Sequence, residues 1–396
     1  MQARVPADSR CGPCRFCRLH ALRPTFSRLD ALVSSIFDVA FVPLAGIHLC
    51  IWLTLLANLW YLRQQSERPE VAGSLPSVTV CIPARNEAEN LRRLLPSLFA
   101  QNDLDLEVVV WDDGSDDGTW DVLQAVDDNR LTACRGEGPP KGWVGKVHAL
   151  YQATRRASGD RYVFLDADAA LADDGALARL LHRFEALPDD SVASGLPTYR
   201  GAAALLVSLV PSALLTGLPW PLVRRVRSTA LAALNGQCWI IDAADYHAQE
   251  PHAHVRNEIL EDVEIGRYLK ANGMTPVLLD VHREVAVHMY ASFGDAWRGF
   301  RKNAYLILGG SPVAFVGLFT FFASVWVVAP WVSPWLLASV VGLKACTDQR
   351  VGLPLWVTAL APVSFALGSA LQFDSAVHHW TGTVTWKGRS VTSSPS

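Results

Sequence analysis

The stretch "RYVFLDADAAL", residues 161–171, opens as an apolar run of strand length and then sets two carboxylates one residue apart, Asp166 and Asp168. Val163, Phe164 and Leu165 are side chains that belong in a core, so the run predicts a buried strand delivering both acids at its end. Residues i and i+2 of an extended strand point the same way, which places the two carboxylates together with Ala167 opposite. Two such groups repel unless a cation sits between them or one holds a proton. Mg2+ or Mn2+ suits the place, because it accepts one or two carboxylates and completes its shell with water and phosphate oxygens.

Outward from this strand, residues 74–290 alternate strand and helix. Apolar, β-branched runs at 77–84, 106–113, 161–168, 237–243 and 275–280 read as strands, and helical stretches are expected at 86–100, 117–126, 146–157, 174–187 and 262–272. Such alternation predicts an α/β fold, a largely parallel sheet covered by helices. Sheets of this kind bind ligands at the carboxyl ends of their strands. The first strand ends in "PARNEAENL", where Asn86 reads as a helix cap. The second ends in "WDDGSDDGT", with Asp112 and Asp113 at the tip and Asp117 placed to cap a helix. Three strand tips thus gather acidic or amide groups at one edge. A structural account needs a partner for each; a ligand account needs one metal and one nucleotide.

The 396-residue chain carries a net charge of −3, which argues against a nucleic-acid binder relying on a basic surface. Half of its residues are hydrophobic, and the excess lies outside the alternating segment. Val39 to Leu62 is uncharged and exceeds the ~20 residues that cross a bilayer core, so it reads as an uncleaved anchor. Residues 303–343 and 351–373 are also uncharged, the first interrupted by "APWVSPW" at 329–335. The expected organisation is a tail at 1–38, a transmembrane helix at 39–62 and an α/β domain at 75–302. Two to three transmembrane helices over 303–373 and a tail at 374–396 follow. "GAAALLVSLVPSALLTGLPWPLVRRVR" (201–227) lies inside the α/β segment and reads as helices lying in the membrane interface, broken at Pro211 and Pro219. Cys81 and Cys238 fall in strand-like runs and read as core. The tight spacing of Cys11, Cys14, Cys17 and His20 admits a metal, but the segment is Arg-rich and has no core, as expected of a tail.

"PARNEAENL", "VVVWDDGSDDGT", "GWVGKVHAL", "FLDADAAL" and "ILEDVEIGRYLKANG" resemble, in order and approximate spacing, the motifs of family 2 glycosyltransferases with the GT-A fold. The similarity is to membrane-bound members such as hopanoid-associated, carotenoid and ceramide-type sugar transferases. It covers about residues 75–305, with "TWKGR" (385–389) as a further match. The resemblance implies a Rossmann-like mixed sheet with helices on both faces. It implies that Asp113, with Asp112 beside it, binds the base or ribose of a nucleotide near Pro83, Arg85 and Glu87. Asp166 and Asp168 would hold the divalent metal, Mg2+ or Mn2+, on the donor diphosphate. Lys146 would touch donor phosphate or sugar. Asp262, with Glu261 before it, would be the base that takes the acceptor's proton, where the plain alternative is a carboxylate favoured by a helix N-terminus. "NGQCW" (235–239) is similar to the acceptor-side loop, giving Gly236, Gln237 and Trp239; Trp239 could stack on a sugar or pack in the core.

The resemblance further implies a nucleotide-sugar donor, a UDP-sugar favoured, a lipid acceptor and a multi-pass protein with its catalytic domain on the cytoplasmic side. Arg15, Arg18, Arg23 and Arg28 ahead of the first apolar run, against Arg63 and Arg68 after it, pull the positive-inside count the other way. In place of the Q-x-x-R-W of processive members stands "WRGFRKNAY" (297–305). Arg298 and Arg301, with Lys302 beside them, could clamp phosphate or form a basic collar ahead of the membrane. The expected reaction is inverting transfer of a single sugar to a lipid hydroxyl. The alternatives are a processive polysaccharide synthase and a membrane protein that binds nucleotide without catalysis.

Overall fold

The computed structural model describes residues 15–66, 74–386 and 389–390, with side chains from Val39 to Thr385. Cys11 and Cys14 lie outside these residues, as do Lys387 and Gly388 of "TWKGR", and Cys17 and His20 are described only as helical backbone.

Ten strands build the catalytic segment: β1 (Val78–Ala84), β2 (Leu106–Asp112), β3 (Leu131–Arg135), β4 (Arg161–Leu165), β5 (Ala169–Leu171), β6 (Ser191–Leu196), β7 (Thr198–Arg200), β8 (Cys238–Asp242), β9 (Thr275–Asp280) and β10 (Val285–His288). Seven form one sheet in the order β3-β2-β1-β4-β8-β6-β9. All neighbours run parallel except β8, which is antiparallel to both β4 and β6. The sheet is therefore mixed, and reversal of β8 brings the start of that strand, not its end, to the carboxyl tip of β4. A second sheet, β5-β10-β7, follows directly from the two-carboxylate segment.

Burial on both faces explains the β-branched runs. Val78, Val80 and Ile82 face Leu91, Leu94 and Leu98 of the helix Ala88–Phe99 and Leu177, Leu180 and Leu181 of the helix Ala176–Glu185. Cys81, Val109 and Phe164 face the other layer, with Val147 and Leu150 of the helix Gly145–Thr154 and Leu269 of the helix Glu261–Ala271. Leu55 and Leu62 of the anchor helix belong to the first of these cores, so helix bundle and sheet share packing.

Two helices among the described residues, Val39–Ser66 and Pro312–Val332, are long and apolar enough to cross a membrane, by length and composition. The second begins with Ser311 accepting from Ala314 N–H (3.2 Å) and Pro312 in the first turn, where its missing N–H costs nothing. Pro330 does not end it: the preceding turn, Ser324–Val328, widens to a π-helix, which accommodates the ring that would strike the carbonyl four residues back. The break falls at Ser333, which caps the helix Pro334–Arg350. The uncharged run 351–373 is not one helix but Leu355–Ala359 followed by Ala361–Trp380.

Residues 201–227 fold as Ala204–Val207, Leu209–Gly217 and Trp220–Val223. Pro211 does not break its helix, because it sits in the first turn; the break is at Leu218 and Pro219. Asn58 of the anchor, fully buried, donates to the carbonyls of Leu215 and Leu218 (2.8 Å each) and accepts from Trp220 N–H (2.8 Å). One amide thus satisfies the frayed end of one helix and the start of the next.

Candidate active site

β4 stops at Leu165. Asp166, Ala167 and Asp168 form a turn closed by Ala169 N–H to the Asp166 carbonyl (3.0 Å), so strand alternation does not set their directions. The chain must turn here to enter β5. Both carboxylates nevertheless line one open cleft. Pro83, Arg85, Glu87, Asp113, Lys146, Gln237, Met289, Tyr290 and Lys302 share its wall.

On one side the tips of β1 and β2 are built as a turn network. Arg85 donates to the Asp113 carbonyl (2.9 Å). Asn86, in the left-handed region (φ 53°), accepts from Asp116 N–H (3.0 Å). Asp117 accepts from Ala88 N–H (3.2 Å) and Thr119 N–H (3.0 Å), so it caps the helices as expected. Asp113 reaches the cleft, but Asp112 does not. Its carboxylate is fully buried, accepts from the Ser115 N–H (2.9 Å) and hydroxyl (2.5 Å), and lies 3.4 Å from Arg135. Consecutive residues at a strand end face opposite ways, which separates the two acids.

On the other side lies a dense charge cluster. The Lys146 ammonium is 2.8 Å from Asp166, 3.0 Å from Glu261 and 3.4 Å from the Gly236 carbonyl. Burial opposes its charge, but Asp166 and Glu261 hold its pKa well above the usual lysine range. Burial likewise opposes ionisation of Glu261, and Lys146 and Lys302 outweigh it, so Glu261 titrates below the ordinary range. Asp262 accepts from Gly236 N–H (3.1 Å) and Val263 N–H (2.9 Å). Burial and the charge of Glu261 push its carboxyl up to about 6. Glycine at 236 permits this approach, since a Cβ there would stand 3.1 Å from that of Asp262. Lys302, within electrostatic reach of Glu261, Lys146, Asp166 and Asp262, is pulled down by burial.

Three expected contributors are elsewhere. Arg298 is exposed and paired with Asp295 (2.6 Å), and Arg301 faces Asp374 (3.7 Å); of the basic trio only Lys302 enters the cleft. Sequence alone could not separate them, because adjacent positions on the helix Phe293–Ile307 project about 100° apart and only packing decides which face meets the cleft. Trp239 is core: it is the register partner of Phe164, stacks on it at 3.9 Å and is 2% exposed. Met289 and Tyr290 were absent from the expected set. They follow β10, which at four residues leaves no periodic signal in sequence.

Among the described residues no three His, Cys, Asp or Glu side chains converge as a protein-only metal cage. Asp166 and Asp168 in one turn offer instead the partial oxygen set that suits a hard cation sharing its shell with phosphate.

A family model described as Glycosyl transferase family 2 matches residues 79–209. The 4,4'-diaponeurosporenoate glycosyltransferases of Staphylococcus aureus strains USA300 and NCTC 8325 are each 25% identical over 244 residues, 59% of this chain and 62% of theirs. The alignment thus spans under two thirds of those relatives. Among solved structures, a mannosyltransferase from Pyrobaculum calidifontis in complex with GDP-Man and Mn2+ has a TM-score of 0.49 at 19% identity, covering 86% of this chain and 98% of that one. S. aureus TarS 1–349 in complex with UDP-GlcNAc has a TM-score of 0.37 at 17% identity, covering 77% and 92%. The family match runs through β1 to β7, which carry the two-carboxylate turn and the Asp113 tip of the cleft, so it is the site-bearing part of the sheet that is similar to the glycosyl transferase family 2 model.

Proposed function

We propose that this enzyme transfers one sugar from a nucleotide-sugar donor to a hydroxyl of a membrane lipid, with inversion at the anomeric carbon. The carrying observation is the adjacency of Asp262, a carboxylate titrating near 6, to a cleft whose far wall is a phosphate-ready set of Lys146, Lys302 and two aspartates. A base poised near neutrality takes a proton efficiently.

In this reading the nucleoside lies along Pro83, Arg85, Glu87 and Asp113. Asp166 and Asp168 would hold Mg2+ or Mn2+, which when bound supplies charge to offset the departing diphosphate. Asp262 takes the proton of the acceptor hydroxyl, and the acceptor oxygen attacks the anomeric carbon from the side opposite the leaving group. The bond from that carbon to the diphosphate oxygen breaks, and Lys146 and Lys302 receive the charge that develops there. Glu261 keeps Lys146 in place.

A lipid acceptor is supported by the relatives named for a carotenoid acid and by the packing of 204–223 against the anchor. Large side chains on the helices outside the sheet, Val313, Trp331, Trp335, Leu355 and Trp356 among them, are more than half exposed, a surface that water disfavours. Contacts give the helix directions. Trp52 and His48 meet Ser339 (2.9 Å each) while Ser212 meets Thr347 (3.2 Å), so the helix Pro334–Arg350 returns towards the sheet. Phe365 stacks on Trp326 and Trp380 meets Phe315, so the last helix runs back along Pro312–Val332. We read three crossings and a re-entrant hairpin at 355–380, with Arg63, Arg224, Arg225, Arg227 and Lys302 on the catalytic side. Basic flanks of that kind favour the cytoplasm.

The test uses purified protein in detergent with Mn2+ or Mg2+ and a panel of nucleotide sugars, following nucleoside diphosphate release with and without a total lipid extract. Lipid-dependent release that vanishes in Asp262→Asn is the expected result. Release of equal rate without lipid would refute the acceptor, and polymeric product would favour a processive synthase.

A further inference from the structure

We infer that Gln237 and Tyr290 form the subsite that grips the transferred sugar, Gln237 reading a ring hydroxyl and Tyr290 supplying the apolar platform. This rests on the transferase reading above and deepens it.

Gln237 is 9% exposed, and its amide oxygen is buried with no hydrogen-bond partner among the described residues. Its amide nitrogen reaches only the weak acceptor Met289 Sδ (3.2 Å). A buried amide without a partner costs free energy unless something later satisfies it. The position says what that is. The Gln237 carbonyl takes the Asp166 N–H (3.2 Å), and the residue before it, Gly236, holds Asp262 through its own N–H. The anomeric carbon must lie between the diphosphate at Asp166 and the acceptor oxygen at Asp262. The sugar therefore passes the Gln237 amide.

Tyr290 follows β10 and Met289. It has φ +56°, a left-handed conformation that is a genuine outlier for a bulky side chain and is retained at functional sites. Tyr290 is one of the residues that line the cleft. From behind it is held by the helix that carries Lys302: Phe300 meets it edge-on at 5.3 Å, and at Gly299 any Cβ would overlap the phenol. A flat apolar face beside a buried amide is the usual pairing for a pyranose, whose C–H face packs and whose hydroxyls hydrogen-bond.

Calorimetric titration of the full-length protein in detergent with Mn2+ separates the parts. The probes are UDP and GDP alone, UDP-glucose, its epimer UDP-galactose, and GDP-mannose. Gln237→Leu and Tyr290→Leu should each weaken the preferred nucleotide sugar about tenfold, the worth of one such contact. Affinity for the bare nucleotide should stay within about twofold, and Gln237→Leu should narrow the gap between epimers. Gly299→Ala, which displaces the ring without touching ligand, should reproduce the Tyr290 pattern. Thermal melts confirm that each variant is folded. Equal losses for sugar and bare nucleotide, or none for either, overturn the subsite while leaving the transferase. Wild-type protein that binds neither class overturns both.

Discussion

In the helix Pro334–Arg350, Lys344 and Asp348 pair one turn apart with no exposed surface, and Thr358 donates to the second carboxylate oxygen (3.0 Å). Beside the cleft, Asp166, Glu261 and Asp262 lie within electrostatic reach of Lys146 and Lys302, and Asp168 shares the cleft wall with Asp166 and the two lysines. The first cluster is balanced and closed; the second has more acids than ammonium groups and opens to a cavity. The surplus falls on Asp262, whose ionisation is the one pushed up to about 6. Buried charge that is matched holds helices in register. Buried charge left short of neutrality is poised to take up a proton or a cation.

The comparison can be broken most severely at the surplus acid. Asp262→Asn should lower kcat by about 10³-fold, the scale of a lost general base. Wild-type kcat should rise with pH through an inflection near 6, because only the ionised carboxylate accepts a proton. Stability should move the opposite way. The folded chain binds this proton more tightly than the unfolded one, so stability falls as pH rises from the ordinary carboxylate range to about 6, then levels off. Both trends should disappear in Asp262→Asn; a persistent inflection would point to another base.

Next in size is the closed pair. Lys344→Met leaves Asp348 buried without its cation and should cost about 3–5 kcal/mol, read as a lowered Tm in detergent. Lys344→Met with Asp348→Leu removes both charges and should recover most of that loss. A double variant no better than the single would mean that the pair does more than balance itself.

Lys302→Met tests the open cluster from its basic side and should cost about 10²-fold in kcat, the worth of one group stabilising a leaving charge. Its neighbour sharpens the contrast: Arg301→Ala, on the same helix but facing Asp374, should change kcat by less than about threefold, in line with a long, partly exposed ion pair. Equal losses at the two positions would favour a basic collar over a phosphate contact.

Much of the site was legible because strand ends are a property of local pattern. Apolar runs of five to seven residues mark β1, β2 and β4, and whatever follows them must lie at one edge of the sheet. Asp113, Asp166, Asp168, Lys146 and Gln237, which line one cleft, follow from that pattern or from the family motifs. What escaped depends on neighbours distant in sequence. β8 runs antiparallel because of its partners, and that reversal sends Trp239 onto Phe164 and Gln237 into the cleft. Asp112 and Asp113 are chemically identical, and only the Ser115 and Arg135 contacts tell them apart.

By itself the chain order of residues determined an α/β sheet with its acids at one edge, apolar helices on either side and a resemblance to the family 2 glycosyltransferase motifs. Hydrophobic periodicity and charge spacing are local, and they survive in a string of letters. The tertiary structure alone decided which cation enters the cleft, that Asp166 and Asp168 share a turn rather than a strand, and that Tyr290 is forced into a left-handed backbone beside an unsatisfied amide. Those outcomes depend on packing between segments up to hundreds of residues apart, where long-range contact overrides local preference.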